Sequence, residues 1–240
     1  MTLHASIYRH RFDAEEQQRK ERLWRVLCRH FLQRFVSPAD TVLDLGAGYC
    51  EFINNIRCAK KYAVDLNEDT PRFASREVRV IQKPAWDLSD LGSGSVDTVF
   101  VSNFFEHLRS KEELAATLGE VERVLRPGGR LMVLQPNIRY AYREYWDFLD
   151  HHVPLSHLSL AEALEIGGLR VVEVRPRFLP YTTKSRLPRP PALLRLYLVL
   201  RPLHRLLGKQ MFIVAEKPQT ATSGRPQPPS SGLGRPDAGA

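Results

Sequence analysis

Short apolar runs alternate with helical patterns along most of this chain, and that alternation limits the folds it can adopt. Seven segments are typical of buried strands: 41–47, 60–66, 78–82, 95–103, 129–137, 169–178 and 210–217. Helical patterns cover 111–125 and 159–168, and a longer one covers 13–35. Strands that alternate with helices form parallel sheets covered on both faces. We therefore predict a doubly wound α/β fold over 37–217, with an N-terminal helix in 1–36.

The composition excludes some classes of protein but does not identify a binding partner. The net charge is +8 and the pI about 9.6, which permits nucleic acid, an anionic membrane or acidic substrates. The three cysteines have no CxxC spacing, which argues against a disulfide framework and a zinc knuckle. No apolar run reaches the ~20 residues of a spanning helix, and the first residues carry no apolar signal core. We expect a cytoplasmic protein.

The stretch VLDLGAGYCEF, residues 42–52, places a glycine turn at the end of a core strand. Asp65 ends the next strand, at the distance from such a turn where an acidic residue binds both ribose hydroxyls. A nucleoside cofactor is therefore expected. The third glycine of the dinucleotide fingerprint is absent, and Asp44 and Glu51 flank the turn. Their negative charge disfavours a pyrophosphate and suits a ligand that is positive at this point.

Four motifs in order then resemble the class I S-adenosylmethionine-dependent methyltransferases. They are VLDLGAGYCEF, YAVDLN, VDTVFVSNFFEHL and VLRPGGRLMVLQPN, and they cover residues 40–137. The resemblance implies a Rossmann-like sheet of seven strands, mostly parallel, with the last strand antiparallel. It also implies that 37–217 is a methyltransferase domain and that S-adenosyl-L-methionine is the cofactor.

The resemblance also implies contacts to the cofactor. Its candidate residues are Asp44, Gly46, Ala47, Gly48, Asp65, Leu66, Ala85, Ser102 and Asn103. The first four surround the methionine part, Asp65 holds the ribose, Leu66 packs beside the adenine, and Ala85 offers its backbone amide. The last two face the reacting methyl group. Two departures from the family pattern are Cys50, at the usual third glycine, and Pro84, where many members carry aspartate.

The motif NFFEHL contains the candidate catalytic residues. Asn103, Glu106 and His107 are spaced i, i+3 and i+4, so a helical turn would place them on one face. His107 is the predicted general base, with Glu106 and His152 as further catalytic residues; a capping and packing role is the alternative. A similar Glu-His pair binds metal in some small-RNA 2′-O-methyltransferases and ubiquinone-pathway O-methyltransferases. Glu106, His107 and His152 could together bind a divalent metal here, but the upstream glutamate of that family pattern is Asn103 in this chain, so no metal ligands are assigned.

Three segments stand outside the strand–helix rhythm. Residues 138–158 are rich in aromatics and histidines, which suits a substrate lid or, alternatively, simple packing. Residues 181–209 form a basic insertion, and its amphipathic part, 191–209, suits contact with a membrane surface or packing on the sheet. The Pro/Gly/Ser-rich tail 218–240 is expected to be disordered.

The fold alone does not name the methyl acceptor. We predict O-methylation of a saccharide, a lipid-linked glycan or a small metabolite. RNA 2′-O-methylation, which the charge would support, and non-catalytic binding of S-adenosylmethionine are the alternatives. We expect a small-molecule or glycan acceptor before a nucleic acid, no obligate protein partner, and a cytoplasmic location with peripheral membrane contact as an open option.

Overall fold

The structure is a computed structural model that describes residues 14–181 and 191–219 of the 240-residue chain. The start of the predicted N-terminal region, 1–13, lies outside the described residues. So do 182–190 of the predicted insertion and 220–240 of the predicted disordered tail.

Seven strands form one sheet. They are β1 Thr41–Leu45, β2 Lys60–Val64, β3 Val78–Ile81, β4 Val96–Ser102, β5 Leu125–Pro136, β6 Arg170–Arg175 and β7 Gln210–Glu216. Their order is β3-β2-β1-β4-β5-β7-β6. The pairs from β3 to β5 are parallel, while β7 runs antiparallel to both β5 and β6. This arrangement confirms the predicted doubly wound fold with its antiparallel last strand.

Helices cover both faces of the sheet. They are α1 Ala14–His30, α2 Thr70–Phe73, α3 Lys111–Val124, α4 Ile138–Ala141, α5 His157–Ile166, α6 Pro191–Val199 and α7 Arg201–Leu207. One apolar core lies between the sheet and α3 and α5, and includes Leu118 and Leu160. A second core joins the other face to α1 and α6, and includes Phe31 and Leu198. The predicted helix 13–35 divides into α1 and a 3₁₀ turn at Leu32–Phe35.

The strand β5 begins earlier than predicted. The sequence RPGG indicates a turn before residue 129, but the strand starts at Leu125, directly after α3. The N–H of Gly128 donates to the carbonyl oxygen of Lys217, and the N–H of Lys217 donates to that of Gly129, both at 2.9 Å. Backbone pairing after β7 therefore holds the glycine segment beside the sheet, although Gly128 keeps a left-handed φ of 76° within it.

The described part of the insertion is mostly helical. It holds α6 and α7, which are separated at Leu200, and Pro202 lies in the first turn of α7. Proline is tolerated there because the first amides of a helix have no intrahelical acceptor. The two helices thus separate at Leu200, and Pro202 belongs to the start of the second one. None of the helices in 14–181 and 191–219 is long and apolar enough to cross a bilayer.

Candidate active site

The turn after β1 lies very close to the segment that follows β4. The N–H groups of Gly46 and Ala47 donate to the carbonyl oxygen of Val64 at 2.9 and 3.2 Å, which holds the turn against the end of β2. Gly46 and Gly48 have φ angles of 71° and 50°, a conformation that favours glycine. A Cβ on Gly46 would lie 2.3 Å from the Phe104 ring. The turn therefore requires glycine at this position.

Three carboxylates surround this turn. Asp44 is buried beneath it and accepts a hydrogen bond from the N–H of Ile53 at 3.3 Å. Glu51 is also buried and pairs with Lys20 at 2.8 Å. Burial, together with the charges of Glu51 and Asp65, raises the pKa of Asp44 well above its usual range. A cationic ligand at the turn would relieve this accumulation of negative charge.

Asp65 connects the turn to the end of β2. Its Oδ2 accepts a hydrogen bond from the N–H of Gly48 at 2.6 Å, and its Oδ1 accepts one from the N–H of Asn67 at 2.7 Å. Leu66 follows and is 57% exposed. The carboxylate is thus fixed at the carboxyl edge of the sheet beside an open apolar side chain, which fits a ribose with an attached ring.

The ends of β3 and β4 carry the other predicted cofactor residues. Ala85 follows β3 and is buried in the core. Asn103 has a φ of 46°, its side-chain amide donates to Ser102 Oγ at 3.1 Å, and its Oδ1 accepts from Nε2 of Gln210 at 3.0 Å. Sequence reasoning missed Gln210. Because β7 is antiparallel, its first residue lies at the same edge as the last residues of the parallel strands.

These residues fit S-adenosylmethionine. The cofactor has a positive sulfonium and a ribose, and the turn supplies backbone with left-handed glycines, buried carboxylates and a fixed Asp65. The individual contacts remain predictions. The positions all lie at the carboxyl edge near the first strands, where open α/β sheets bind ligands.

A second group of polar residues follows β4 in the 3₁₀ turn Phe105–His107. Glu106 is 1% exposed, and neither of its carboxylate oxygens has a hydrogen-bond partner in the described part of the chain. Burial raises the pKa of Glu106 to about 7, against the opposing effect of the neighbouring His107. A buried carboxyl group without a partner is costly, and such perturbed groups concentrate at functional sites.

His107 is oriented by Asp150. Its Nδ1 lies 3.0 Å from the main-chain oxygen of Asp150 and 3.2 Å from Oδ2 of the same residue. Both are acceptors, so Nδ1 carries the hydrogen, and Nε2 is the basic atom of the neutral ring. Burial lowers the pKa of His107, but the hydrogen bond to Asp150 and the charges of Glu106 and Asp150 outweigh it and raise the pKa above 6.5.

The structure places His151 in this cluster, and not His152, which the sequence predicted there. His151 is buried, and its ring centre lies 4.9 Å from that of His107, whereas His152 is exposed. The N–H groups of His152 and Val153 both donate to the carbonyl oxygen of Glu106, at 2.7 and 3.2 Å. Side chains in 151–155 alternate between buried and exposed, as they do in an extended segment, so only one of the two adjacent histidines faces inward.

Glu106, His107 and His151 also satisfy the geometry of a metal site. Each offers one ligand atom, and these atoms lie within 4.8 Å of one another. Imidazole and carboxylate together suit several divalent metals. The cluster can therefore provide a general base, His107, with Glu106 and His151 beside it. Alternatively, the three side chains can hold a cation.

The predicted lid is partly packed and partly open. Within it, the ring of Phe148 stacks on His151 at 4.8 Å, and Tyr145 is fully buried at 4.6 Å from His151. Trp146 and Leu149 are 62% and 79% exposed. The segment 138–158 thus covers the histidine cluster with one set of aromatics and presents another apolar set outward.

Comparison with known proteins finds methyltransferases both with a family profile and among individual relatives. The sequence profile described as "Methyltransferase domain" matches residues 43–133. A demethylmenaquinone methyltransferase of Symbiobacterium thermophilum is 29% identical over 73% of this chain and 72% of its own length. One of Mycolicibacterium gilvum is 35% identical over 48% of this chain and 50% of its own length. The chain thus spans about half the length of most of the curated relatives it matches.

Solved structures share the fold. One is a chain from the complex of the Haloferax volcanii Trm112 methyltransferase activator with a methyltransferase; it has a TM-score of 0.64 and 21% identity, over 86% of this chain and 95% of that one. A SAM-dependent methyltransferase from Archaeoglobus fulgidus has a TM-score of 0.63 and 23% identity, over 82% and 94% of the two chains.

Proposed function

We propose that this chain, which belongs to the class I S-adenosylmethionine-dependent methyltransferases, methylates a hydroxyl group of a small molecule with His107 as general base. The observation that carries the proposal is the contact between Asp150 and Nδ1 of His107. It leaves Nε2 as the basic atom in a buried turn that directly follows the predicted cofactor residues of β4. A carboxylate that fixes the histidine tautomer in this way is a recurrent arrangement for proton abstraction.

The turn 46–48, Asp44 and Asp65 would hold S-adenosylmethionine, which would supply a methyl group on a positive sulfur. As the acceptor oxygen bonds to that carbon, the C–S bond would break and leave its electron pair on sulfur. Nε2 of His107 takes the hydroxyl proton in the same step. Asp150 then stabilises the imidazolium that forms, because its carboxylate faces the Nδ1–H. Glu106 adds negative charge beside the ring. Tyr145 and Phe148 pack against His151 and so cover one side of the cluster.

The acceptor is proposed from the surface of the lid. Trp146, Leu149 and Tyr142 present large apolar side chains outward, which favours an acceptor with an apolar portion over a free sugar. Of the predicted classes, a lipid-linked glycan or an apolar metabolite fits best. The relatives named demethylmenaquinone methyltransferases favour a second candidate, transfer to a ring carbon. The same base would serve that reaction by deprotonating a hydroxyl on the ring.

Label transfer tests the proposal. The purified chain is incubated with methyl-labelled S-adenosylmethionine and host lysate, and lipid, RNA, protein and small-molecule fractions are separated. Label in the lipid or small-molecule fraction is expected, and NMR of the product then distinguishes an O-methyl ether from a methylated ring carbon. Label in RNA would refute the acceptor class. No label in any fraction, with cofactor binding intact, would favour the non-catalytic alternative.

The same substitution at two histidines, one in the cluster and one exposed, tests the role of the base. His107→Gln should lower the rate by about 10²–10⁴-fold, with the affinity for S-adenosylmethionine unchanged. His152→Gln, at the exposed neighbour, should retain the rate. Equal rates in the two variants would refute the role of His107. Complete loss of activity with EDTA, restored by one divalent metal, would instead assign the cluster to metal binding.

A further inference from the structure

The helices α6 and α7, with Leu200 between them, carry six large apolar side chains that stay exposed in the described structure. They are Leu193, Leu196, Val199, Leu200, Leu206 and Leu207, and we call them the α6–α7 apolar face. Val199 and Leu206 are 73% and 71% exposed. Single exposed leucines are ordinary, but six such residues on two successive short helices indicate a site of interaction.

The opposite side of the same helices is fixed to the domain. Leu198 is buried in the core that includes α1. The hydroxyl of Tyr197 donates to the carbonyl oxygen of Phe178 at 2.6 Å, and Nε2 of the buried His204 lies 2.9 Å from the carbonyl oxygen of Tyr197. These contacts set the orientation of α6 and α7 without using the α6–α7 apolar face. Surface helices normally present polar residues on that outer side.

The charges around this face are positive. Arg195, Arg201 and Arg205 are exposed, and the sequence 191–209 contains no acidic residue. The basic region extends to α1, where burial and the charge of Arg195 lower the pKa of His30. The surface therefore combines exposed leucines with arginines, the pattern of a helix that lies in a membrane interface.

We propose that α6 and α7 form a docking surface for an anionic lipid bilayer. The α6–α7 apolar face would enter the boundary between headgroups and acyl chains, while the three arginines contact the lipid phosphates. Neither helix can cross the bilayer, so the contact is peripheral. A second copy of the chain is a poorer occupant, because a symmetric contact would bring like-charged arginines together.

The position of this surface places the lid near the bilayer. Lys209 follows α7 and forms an ion pair with Glu144, in the 3₁₀ turn of the predicted lid. The N–H of Asn137, at the end of β5, donates to the carbonyl oxygen of Lys209 at 3.0 Å. The docking proposal itself does not depend on methyl transfer, since binding to lipid is measured without an acceptor.

Vesicle sedimentation with the full chain tests the proposal. Vesicles of phosphatidylcholine mixed with phosphatidylglycerol are compared with vesicles of phosphatidylcholine alone. The charge variant is Arg195→Gln with Arg205→Gln, and the apolar variant is Leu196→Gln with Leu206→Gln. The control variant is Leu158→Gln with Ile166→Gln, which changes two exposed apolar residues of α5 on the other face of the sheet.

Binding to the anionic vesicles should exceed binding to the neutral ones and weaken with salt. The charge variant should bind about thirtyfold more weakly, since each basic residue contributes about a factor of five. The apolar variant should lose about as much, and the control should bind like the parent chain. Circular dichroism verifies folding. Absent or unchanged vesicle binding would overturn the proposal. So would light scattering that shows a dimer disrupted by the apolar variant while vesicles bind nothing.

Discussion

Replacement of Gly46 by alanine tests the geometry on which the cofactor turn depends. The new Cβ would lie 2.3 Å from Cγ and 2.7 Å from Cβ of Phe104. Because Cβ of Phe104 is attached to the backbone, rotation of the ring cannot remove the second contact. The φ of 71° at Gly46 adds conformational strain. The turn or the segment after β4 has to move.

The magnitude follows from these two effects. A left-handed conformation costs a non-glycine residue about 1–2 kcal/mol, and overpacking costs about 1–3 kcal/mol. Together they should lower the free energy of unfolding by about 2–5 kcal/mol. For a domain of this size the Tm should fall by about 5–15 °C. Since Phe104 lies between Asn103 and Glu106, the displacement should also weaken binding of S-adenosylmethionine at least about tenfold.

A matched glycine makes the measurement decisive. A Cβ on Gly119, on the exposed side of α3, meets no atom within 4 Å, so Gly119→Ala should raise stability by about 0.5–1 kcal/mol through helix propensity. Calorimetry of melting and of cofactor binding would be run on both variants. Gly46→Ala should also cost less in a Phe104→Ala background. Parental Tm and affinity in Gly46→Ala would refute the argument.

Further predictions concern titration and accessibility. Asp150→Asn should lower the pKa of His107, as measured by NMR, and a raised pKa would contradict this. The rate should fall only about tenfold, because the main-chain oxygen of residue 150 still accepts from Nδ1. Glu106→Gln should increase the free energy of unfolding above about pH 7. The unfolded glutamate ionises near 4.5 and the folded one near 7, so the stability of the parent protein falls between those pH values. Denaturant melts across this range measure the effect, and identical pH profiles for the two proteins would refute it. Titration of the native protein with a thiol reagent should modify Cys58 alone, because Cys28 and Cys50 are buried whereas Cys58 is partly exposed; rapid reaction at a second thiol would count against it.

The sheet could be predicted from the sequence because its signals are local. Each buried strand is a short apolar run, and the glycines and Asp65 mark where strands end. Cys50 shows how local information also has limits. It takes the place of the usual third glycine yet has a φ of 61°, so the backbone keeps a glycine-like conformation there despite the change of side chain.

The predicted catalytic cluster depends on contacts that sequence spacing does not contain. Spacing alone selects Glu106 and His107, but it predicts His152 as the third member. The segment that brings His151 to the cluster is anchored by hydrogen bonds from the N–H groups of His152 and Val153 to Glu106, 46 and 47 residues away in the chain. Likewise, Gln210 reaches Asn103 only because β7 is antiparallel. Long-range pairing of this kind is set by tertiary structure.

The position of β7 has a consequence for how the chain is made. Within the described sheet β6 pairs with β7 alone, and β5 receives its second neighbour from β7. During synthesis the ribosome therefore releases six strands before it releases the one that joins the fifth to the sixth. Until Gln210–Glu216 emerge, β5 offers an unpaired edge, the feature that promotes aggregation of nascent chains. Completion of this sheet thus waits until β7 has left the ribosome.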